Sequence, residues 1–142
     1  MAANRELLEG LNRAITGDEA SLAHVATEDL DFRDSLQAPH GLDDVRAYLR
    51  TWAQAFPDAT VDIVKIIDTG DEAVAEVTYR GTHTGPLASP QGEIPGTGRR
   101  VELPGVMWIT VREGRIATFR GFYDTASMMA QLGLMPEPAA TR

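Results

Sequence analysis

Residues 99–124 form the stretch RRVELPGVMWITVREGRIATFRGFYD, which decides the fold. Two runs within it, Arg99–Val111 and Ile116–Asp124, are rich in Val, Ile, Thr and aromatic residues, a composition typical of β-strands. Between them, Glu113-Gly114 predicts a tight hairpin turn. The two runs are therefore expected to pair as antiparallel neighbours in one sheet.

Two further strands are predicted before this hairpin. Thr60–Ile67 carries apolar side chains on much of both faces, and Glu72–His83 is a longer run rich in Val, Thr and Tyr. Gly70-Asp71 predicts the turn that joins them. Residues 84–98 contain four glycines and three prolines, so no regular element is expected there.

Helices are predicted at both ends of the chain. Asn4–Ile15 has the apolar spacing of an amphipathic helix, and a short helix is expected over Glu19–Ala26. A strand at Leu30–Arg33 precedes a third helix, which begins at Asp43 or Asp44 and ends at Phe56 before a proline. A last short helix covers Ala126–Leu132. Helices followed by antiparallel strands favour the α+β class, with a sheet that curls over the helices.

The length, cysteine content and net charge of the chain exclude several classes of protein. A chain of 142 residues without repeats predicts one domain over residues 1–136, followed by a flexible tail at 137–142. The absence of cysteine excludes a disulfide scaffold, a thiolate metal site and a cysteine nucleophile. A formal net charge of −8 argues against nucleic-acid binding. No membrane span and no secretory signal are evident, which predicts a cytoplasmic protein.

Several spaced motifs carry a resemblance to a known family. The motifs are Gly81–Leu87, Thr97–Glu102, and Phe122-Tyr123-Asp124 followed by Gln131-Leu132-Gly133, together with Gly41-Leu42-Asp43 and Trp52–Pro57 before them. In this order they resemble the SnoaL-like polyketide cyclases, from about residue 4 to residue 136.

The resemblance implies a fold, a cavity and a reaction. The expected fold is the cone-shaped α+β barrel shared with nuclear transport factor 2 and ketosteroid isomerase, with a deep apolar cavity. The expected reaction is an intramolecular aldol condensation that closes a ring of an aromatic polyketide, without a metal or organic cofactor. The family's acid/base carboxylate belongs to a Tyr-Asp motif on the last strand, which corresponds to Asp124.

Asp124 and Arg120 are the first candidates for chemistry. Strand alternation puts them on one face with Thr118 and Phe122. If that face is concave, Asp124 would be a base able to remove a proton next to a carbonyl. Arg120 would stabilise an enolate or bind a substrate carboxylate. The alternatives are that Asp124 caps the helix beginning near Thr125, and that Arg120 pairs with an acid such as Asp124.

The three histidines are weaker candidates. His83 ends a strand, where it would act as an acid or base or hydrogen-bond the backbone of a turn. His24 is expected on a helix surface, and His40 in a loop that could line a cavity mouth. Their spacing does not fit a zinc site. No serine lies in a strand-turn-helix elbow, which argues against a serine hydrolase.

Aromatic side chains are expected to line the cavity. Tyr48, Trp52 and Phe56 form a helical stripe that is core or pocket, and alternation turns either Met107 or Trp108 inward. The predicted lining set is Phe32, Trp52, Phe56, Met107 or Trp108, and Phe122. The loop Pro86–Pro95 is a candidate lid.

Other functions on the same fold stay open. A related hydroxylase, an isomerase or an epoxide hydrolase is possible; the hydrolase would need two carboxylates from among Asp31, Asp34 and Asp124 around one water. A non-catalytic module that binds an apolar small molecule is the other class. The Val-rich strands at Glu72–Tyr79 and Val101–Val111 leave apolar surface on the outer sheet face, which predicts a homodimer through the sheet.

Overall fold

A sheet packed on helices along one face forms the molecule. The structure, a computed structural model, describes residues 2–89 and 92–134. Its helices are α1 (Ala2–Ile15), α2 (Leu22–Val25), α3 (Leu42–Ala55) and α4 (Thr125–Gln131). Its strands are β1 (Ala26–Arg33), β2 (Thr60–Asp68), β3 (Glu72–Thr82), β4 (Leu87–Ser89), β5 (Gly92–Ile94), β6 (Arg100–Arg112) and β7 (Arg115–Tyr123). The predicted α+β class is confirmed.

The main sheet has the strand order β1-β7-β6-β3-β2 within the described residues. Only the β1–β7 pair is parallel, and the remaining three pairs are antiparallel. The sheet is open, with β1 and β2 as its edges. Its concave side carries the helices, so the chain has the half-cone shape expected of this architecture.

The β6–β7 hairpin forms as the sequence predicts. Arg112 pairs with Arg115 across Glu113 and Gly114, which have φ of 53° and 76°. Two central residues with positive φ match the right-handed twist of the strands they join. In this register Met107 is fully buried and Trp108 is 40 % exposed. Of the two residues that the sequence allowed on the inner face, it is therefore Met107 that points inward.

One end of the concave face holds the main core. Leu8 and Leu11 of α1 and Val45 of α3 pack against inward residues of the strands, among them Met107 and Ile109. The predicted second helix divides into a 3₁₀ turn at Glu19–Ser21 and the single turn of α2, because Ser21 Oγ donates a 2.6 Å hydrogen bond back to Asp18. No helix in the described part of the chain is both long and apolar enough to cross a membrane.

The segment expected to be irregular contains a small hairpin. β4 and β5 pair antiparallel, with Leu87 opposite Ile94. Leu87 is buried in a second apolar cluster with Phe56, Val101 and Met128. Burial of the Leu87 side chain in this cluster stabilises two short strands in a segment that is rich in glycine and proline. Pro90 and Gln91, at the tip, lie outside the described residues, as does the tail predicted at 137–142.

Gly85 anchors this hairpin to α3, and we expect Gly85→Ala to destabilise the protein by about 2–3 kcal/mol. A Cβ atom there would overlap the backbone carbonyl oxygen of Gln54, while the Gly85 N–H donates to the Ala55 oxygen at 3.2 Å. Gly81→Ala is the control, since its Cβ would meet the Phe56 side chain at 3.2 Å and the nearest backbone atom, Ala59 Cα, at an ordinary contact distance of 3.5 Å. Urea denaturation measures both, and equal stability of the two variants would contradict the close approach.

Candidate functional site

A cavity of about 110 Å³ lies between the C-terminal half of α3 and one end of the sheet. The strand ends that surround it come from β1, β2, β3, β6 and β7. Most of its wall is apolar. The main apolar lining residues are Ile15, Leu49, Trp52, Phe56, Val61, Val101, Leu103, Phe119 and Met128.

Two periodicities put these side chains into the wall. Leu49, Trp52 and Phe56 recur at three- and four-residue spacing along α3 and its C-terminal cap, so they share one helix face. Phe119, Gly121 and Tyr123 alternate along β7, so they share one strand face. The predictions that Trp52 and Phe56 point toward a pocket agree with this geometry.

Among the described residues, Asp34 alone brings a carboxylate to the cavity wall. It follows Phe32 by two positions on the same side of β1 and is half-buried. Its Oδ2 accepts a 2.6 Å hydrogen bond from the Tyr48 hydroxyl. Its Oδ1 accepts the backbone N–H groups of Leu36 and Gln37 at 2.8 and 2.9 Å. These donors hold the carboxylate in one orientation.

Three tyrosines surround Asp34 at this end of the cavity. Burial raises the pKa of Tyr48, Tyr79 and Tyr123 well above the ordinary range, and the negative charge of Asp34 raises each of them further. All three phenols therefore keep their protons at neutral pH, and Tyr48 donates its proton to Asp34. The Tyr123 hydroxyl oxygen is enclosed and has no hydrogen-bond partner.

The position predicted for Asp124 is corrected by the structure. Tyr123 is the last β7 residue and points into the cavity, whereas Asp124 is exposed and caps α4. Its Oδ1 accepts the Ser127 N–H at 3.0 Å, which is the helix-cap alternative. A register shift in the β6–β7 pair, between Val111–Ile116 and Thr110–Thr118, reverses the set of β7 side chains that face inward, so Tyr123 and not Asp124 enters the cavity.

Arg120, Phe122 and Trp108 are likewise on the outer face of the sheet. Arg120 is exposed opposite Trp108 across the β6–β7 pair, and Phe122 is 51 % exposed. The predictions that Phe122 and Trp108 line the cavity are wrong in this register. Arg120 forms no described ion pair with Asp124.

Phe32 and Met107 lie inside the protein but in its core. Both are buried in the main apolar cluster, and neither forms part of the cavity wall. Phe32 stacks on Phe119 with ring centroids 4.4 Å apart, so it supports a wall residue from behind. The expected lining role is thus corrected to a supporting one.

His83 is fully buried next to the cavity wall. Its ring lies 5.4 Å from the Phe56 ring, on the side away from the lining. Its Nδ1 accepts the Thr97 backbone N–H at 3.3 Å and lies 3.1 Å from the Thr97 hydroxyl. Nε2 therefore carries the proton. The sequence left two roles open for His83, an acid or base and a residue that hydrogen-bonds the backbone of a turn. These contacts match the second role.

The other candidate positions are outside the wall. His24 and His40 are exposed, and the described residues contain no cluster of three or more potential metal ligands. Residues 86–89 and 92–95 of the expected lid do not line the cavity. They pack behind it, where Leu87 contacts the cluster that includes Phe56 and Met128.

Tyr79 and Tyr123 were not predicted as site residues, and Asp34 was predicted only as one of the carboxylates that an epoxide hydrolase would need. A signal for Asp34 was present, since the alternation that buries Leu30 and Phe32 also turns residue 34 inward. The same rule applied to β3 groups Tyr79 with Ala75 and Val77, both buried.

Comparison with known proteins gives a consistent picture. A family model described as SnoaL-like polyketide cyclase matches residues 5–132. TsrD from Streptomyces laurentii is 27 % identical, with a TM-score of 0.81 over 94 % of this chain and 97 % of its own. IdmH from Streptomyces antibioticus, described as a candidate polyketide cyclase, is also 27 % identical, with a TM-score of 0.72 over 91 % and 97 %.

A more distant structure agrees on the fold. A candidate SnoaL-like polyketide cyclase from a Jannaschia species has a TM-score of 0.82 at 22 % identity, over 95 % of this chain and 94 % of its own. No curated protein matches the chain.

The burial of His83 predicts acid sensitivity. Burial lowers its pKa below the ordinary value of 6.5, with the backbone of Gly85 opposing the shift. Below pH 6.5 the unfolded chain therefore binds more protons at His83 than the folded protein does. The contribution of the neutral imidazole to the free energy of unfolding is complete above that pH and is lost as the pH falls. We expect His83→Gln to lose less Tm than wild type between pH 7 and pH 5 in thermal scans. An equal loss in both proteins would contradict a buried neutral imidazole.

Proposed function

Because the chain belongs to the SnoaL-like polyketide cyclase family, we propose that it catalyses acid/base chemistry on an apolar, polyketide-like small molecule held in this cavity. The proposed chemistry needs no cofactor. The observation that carries the proposal is the half-buried carboxylate of Asp34 in a mostly apolar wall. The other charged side chain of the wall, Arg80, is paired with Asp62 and Glu102. A carboxylate next to a bound ligand can remove a proton from the carbon atom adjacent to the ligand's carbonyl group.

The cyclase reaction divides into two steps at this site. Asp34 takes a proton from the carbon next to a carbonyl, which leaves an enolate. The enolate carbon then attacks a second carbonyl of the same molecule, which forms the ring bond and turns that carbonyl into an alkoxide. In the second step the alkoxide takes the proton back from the carboxylic acid of Asp34, which gives the alcohol and regenerates the carboxylate. The apolar walls favour this closure because they hold the two ends of the substrate together.

Asp34 takes the place that the sequence assigned to Asp124. The exposed, helix-capping position of Asp124 supports a structural role, and Arg120 and His83 lie outside the cavity wall. We therefore propose Asp34 as the base and leave no reacting role to these three residues. A cytoplasmic location remains a prediction of the sequence.

The alternatives differ in what they require from the cavity. An epoxide hydrolase needs two carboxylates around one water, and only Asp34 is available among the described lining residues. An isomerase would use the same base to return the proton to another carbon of the substrate. A non-catalytic binding module would hold the ligand without any proton transfer, which the following experiment distinguishes.

Asp34→Asn should abolish proton abstraction, whereas Asp124→Asn should retain it. The probe is 2-indanone in D₂O, a small ketone suited to this cavity, with α-proton exchange followed by NMR. We expect wild type to accelerate exchange and Asp34→Asn to lose about 100-fold or more of the acceleration, in the range typical for removal of a general base. Asn also caps helices, so Asp124→Asn is a matched control that preserves α4.

Two results would contradict the proposal. If wild type does not accelerate exchange over buffer, the cavity is not a proton-abstraction site. If Asp124→Asn loses the acceleration and Asp34→Asn keeps it, the base is the one expected from the sequence motif.

We further propose a homodimer through the outer face of the sheet. Val106, Trp108 and Phe122 form an apolar stripe there that is between 36 and 51 % exposed. Arg120 lies on the β7 side of this stripe, and Glu76 lies on the β3 side, paired with Val106. A two-fold axis parallel to the strands would bring the arginine of one copy against the glutamate of the other.

Phe122→Glu should convert this dimer to a monomer. A charge in the middle of the apolar stripe would be desolvated without a partner, which costs several kcal/mol. Sedimentation velocity at micromolar concentration measures the change. Val64→Glu is the control, since Val64 is an exposed apolar residue on the edge strand β2. A monomeric wild type would refute the dimer.

A further inference from the structure

The hydroxyl group of Tyr123 lies enclosed beside the cavity and lacks any hydrogen-bond partner. An enclosed polar group without a partner destabilises a folded protein, and most such groups are paired. Asp34 does not satisfy it, because its oxygens accept from Tyr48 and from the backbone of Leu36 and Gln37. A ligand that enters the cavity and displaces the side chains enclosing this hydroxyl would supply the missing acceptor.

The position of this hydroxyl is fixed by contacts on every side. The Tyr123 ring makes edge-to-face contacts with Trp52 and Tyr79, with centroids 6.3 and 6.1 Å apart. Its backbone N–H donates to Ser35 Oγ at 3.2 Å, and the Ser35 hydroxyl donates back to the Tyr123 carbonyl at 3.1 Å. Because Ser35 follows Asp34 directly, this double hydrogen bond also fixes Tyr123 relative to the carboxylate.

Two phenols near Asp34 have different tasks. The Tyr48 hydroxyl donates its proton to Asp34 and orients the carboxylate. The Tyr123 hydroxyl keeps its proton, because burial and the charge of Asp34 raise its pKa, although the nearby Tyr48 hydroxyl opposes part of that shift. No acceptor lies within hydrogen-bond distance of it in the free protein. A donor held next to a base fits a ligand whose oxygen accepts a hydrogen bond while a neighbouring carbon loses its proton.

We infer that Tyr123 is a catalytic residue that donates a hydrogen bond to the carbonyl oxygen of a neutral ketone ligand. The inference rests on the proposed function, in which Asp34 removes the proton. As the C–H bond breaks, the electron pair moves to the oxygen, and the Tyr123 hydrogen bond strengthens without proton transfer. The negative charge of Asp34 excludes carboxylate-bearing ligands from the same position by repulsion.

A binding cycle separates this hydrogen bond from packing. The probes are 2-indanone and indane, which share a skeleton and differ by the carbonyl oxygen, and their affinities are measured by calorimetry. We expect wild type to bind the ketone about tenfold tighter than the hydrocarbon. Tyr123→Phe should abolish this tenfold preference and leave the affinity for indane within about twofold.

Tyr79→Phe is the matched control, since Tyr79 lines the same cavity and loses the same atom. It should retain the ketone preference. Thermal scans of the ligand-free proteins separate a structural role: Tyr123→Phe should melt at or above the wild-type Tm, because it removes an unpartnered buried group.

Three outcomes would overturn the inference. These are a wild type that does not prefer the ketone, a preference that survives Tyr123→Phe or disappears in Tyr79→Phe, and a Tyr123→Phe Tm several degrees below wild type. The test is independent of the base, because binding is measured without turnover. If Asp34→Asn exchanges protons normally while Tyr123→Phe loses the ketone preference, the proposed base fails and the donor stands.

Discussion

The alternation of side chains across the β6–β7 hairpin is the constraint on which the site depends. With Arg112 opposite Arg115, Ile116 faces inward, and a register shift between the Val111–Ile116 and Thr110–Thr118 pairs then turns Phe119 and Tyr123 inward as well. Without that shift, alternation from Ile116 would turn Arg120 and Phe122 inward instead. Arg120 would then be buried without a described partner, at a cost of several kcal/mol. The turn at 113–114, the register shift and this penalty together hold one register, and that register determines the chemistry of the cavity.

The two ends of the concave face have different tasks. At one end, α1 and the first part of α3 fill the space between helices and sheet with the main apolar cluster. At the other end, the strands run out and are covered by the last turns of α3, the end of α1 and the short α4, and a cavity remains between them. Stability is concentrated in the first region, which allows the second to keep a half-buried carboxylate and an unpaired phenol. Such groups are tolerated at functional sites when the surrounding packing holds them.

Elements with strong periodicity could be predicted from the sequence, and the direction of single side chains at strand ends could not. The long strands and both long helices follow from repeated apolar spacing, and the expected order of helices and strands is confirmed. The β4–β5 hairpin was missed because one buried leucine outweighs a sequence full of turn formers. Asp34 was predicted only among the acids of a hydrolase. The alternation that buries Leu30 and Phe32 points residue 34 inward, but β1 ends at Arg33 and its register shifts between Ala26 and Asp31, so the regular stretch before Asp34 is too short to be a strong signal.

The end of the β1–β7 pair explains why the site residues lie where they do. Backbone pairing between the two strands extends to Arg33 opposite Arg120, and beyond it the chain at Asp34 turns back on itself. Ser35 Oγ then serves both the N–H and the carbonyl of Tyr123, replacing the strand that has left. Satisfying these backbone groups requires polar residues at the strand end, and the same residues bring Asp34 to the cavity. The Tyr-Asp pair of the family pattern thus marks the correct strand end, but its tyrosine faces the cavity and its aspartate starts α4.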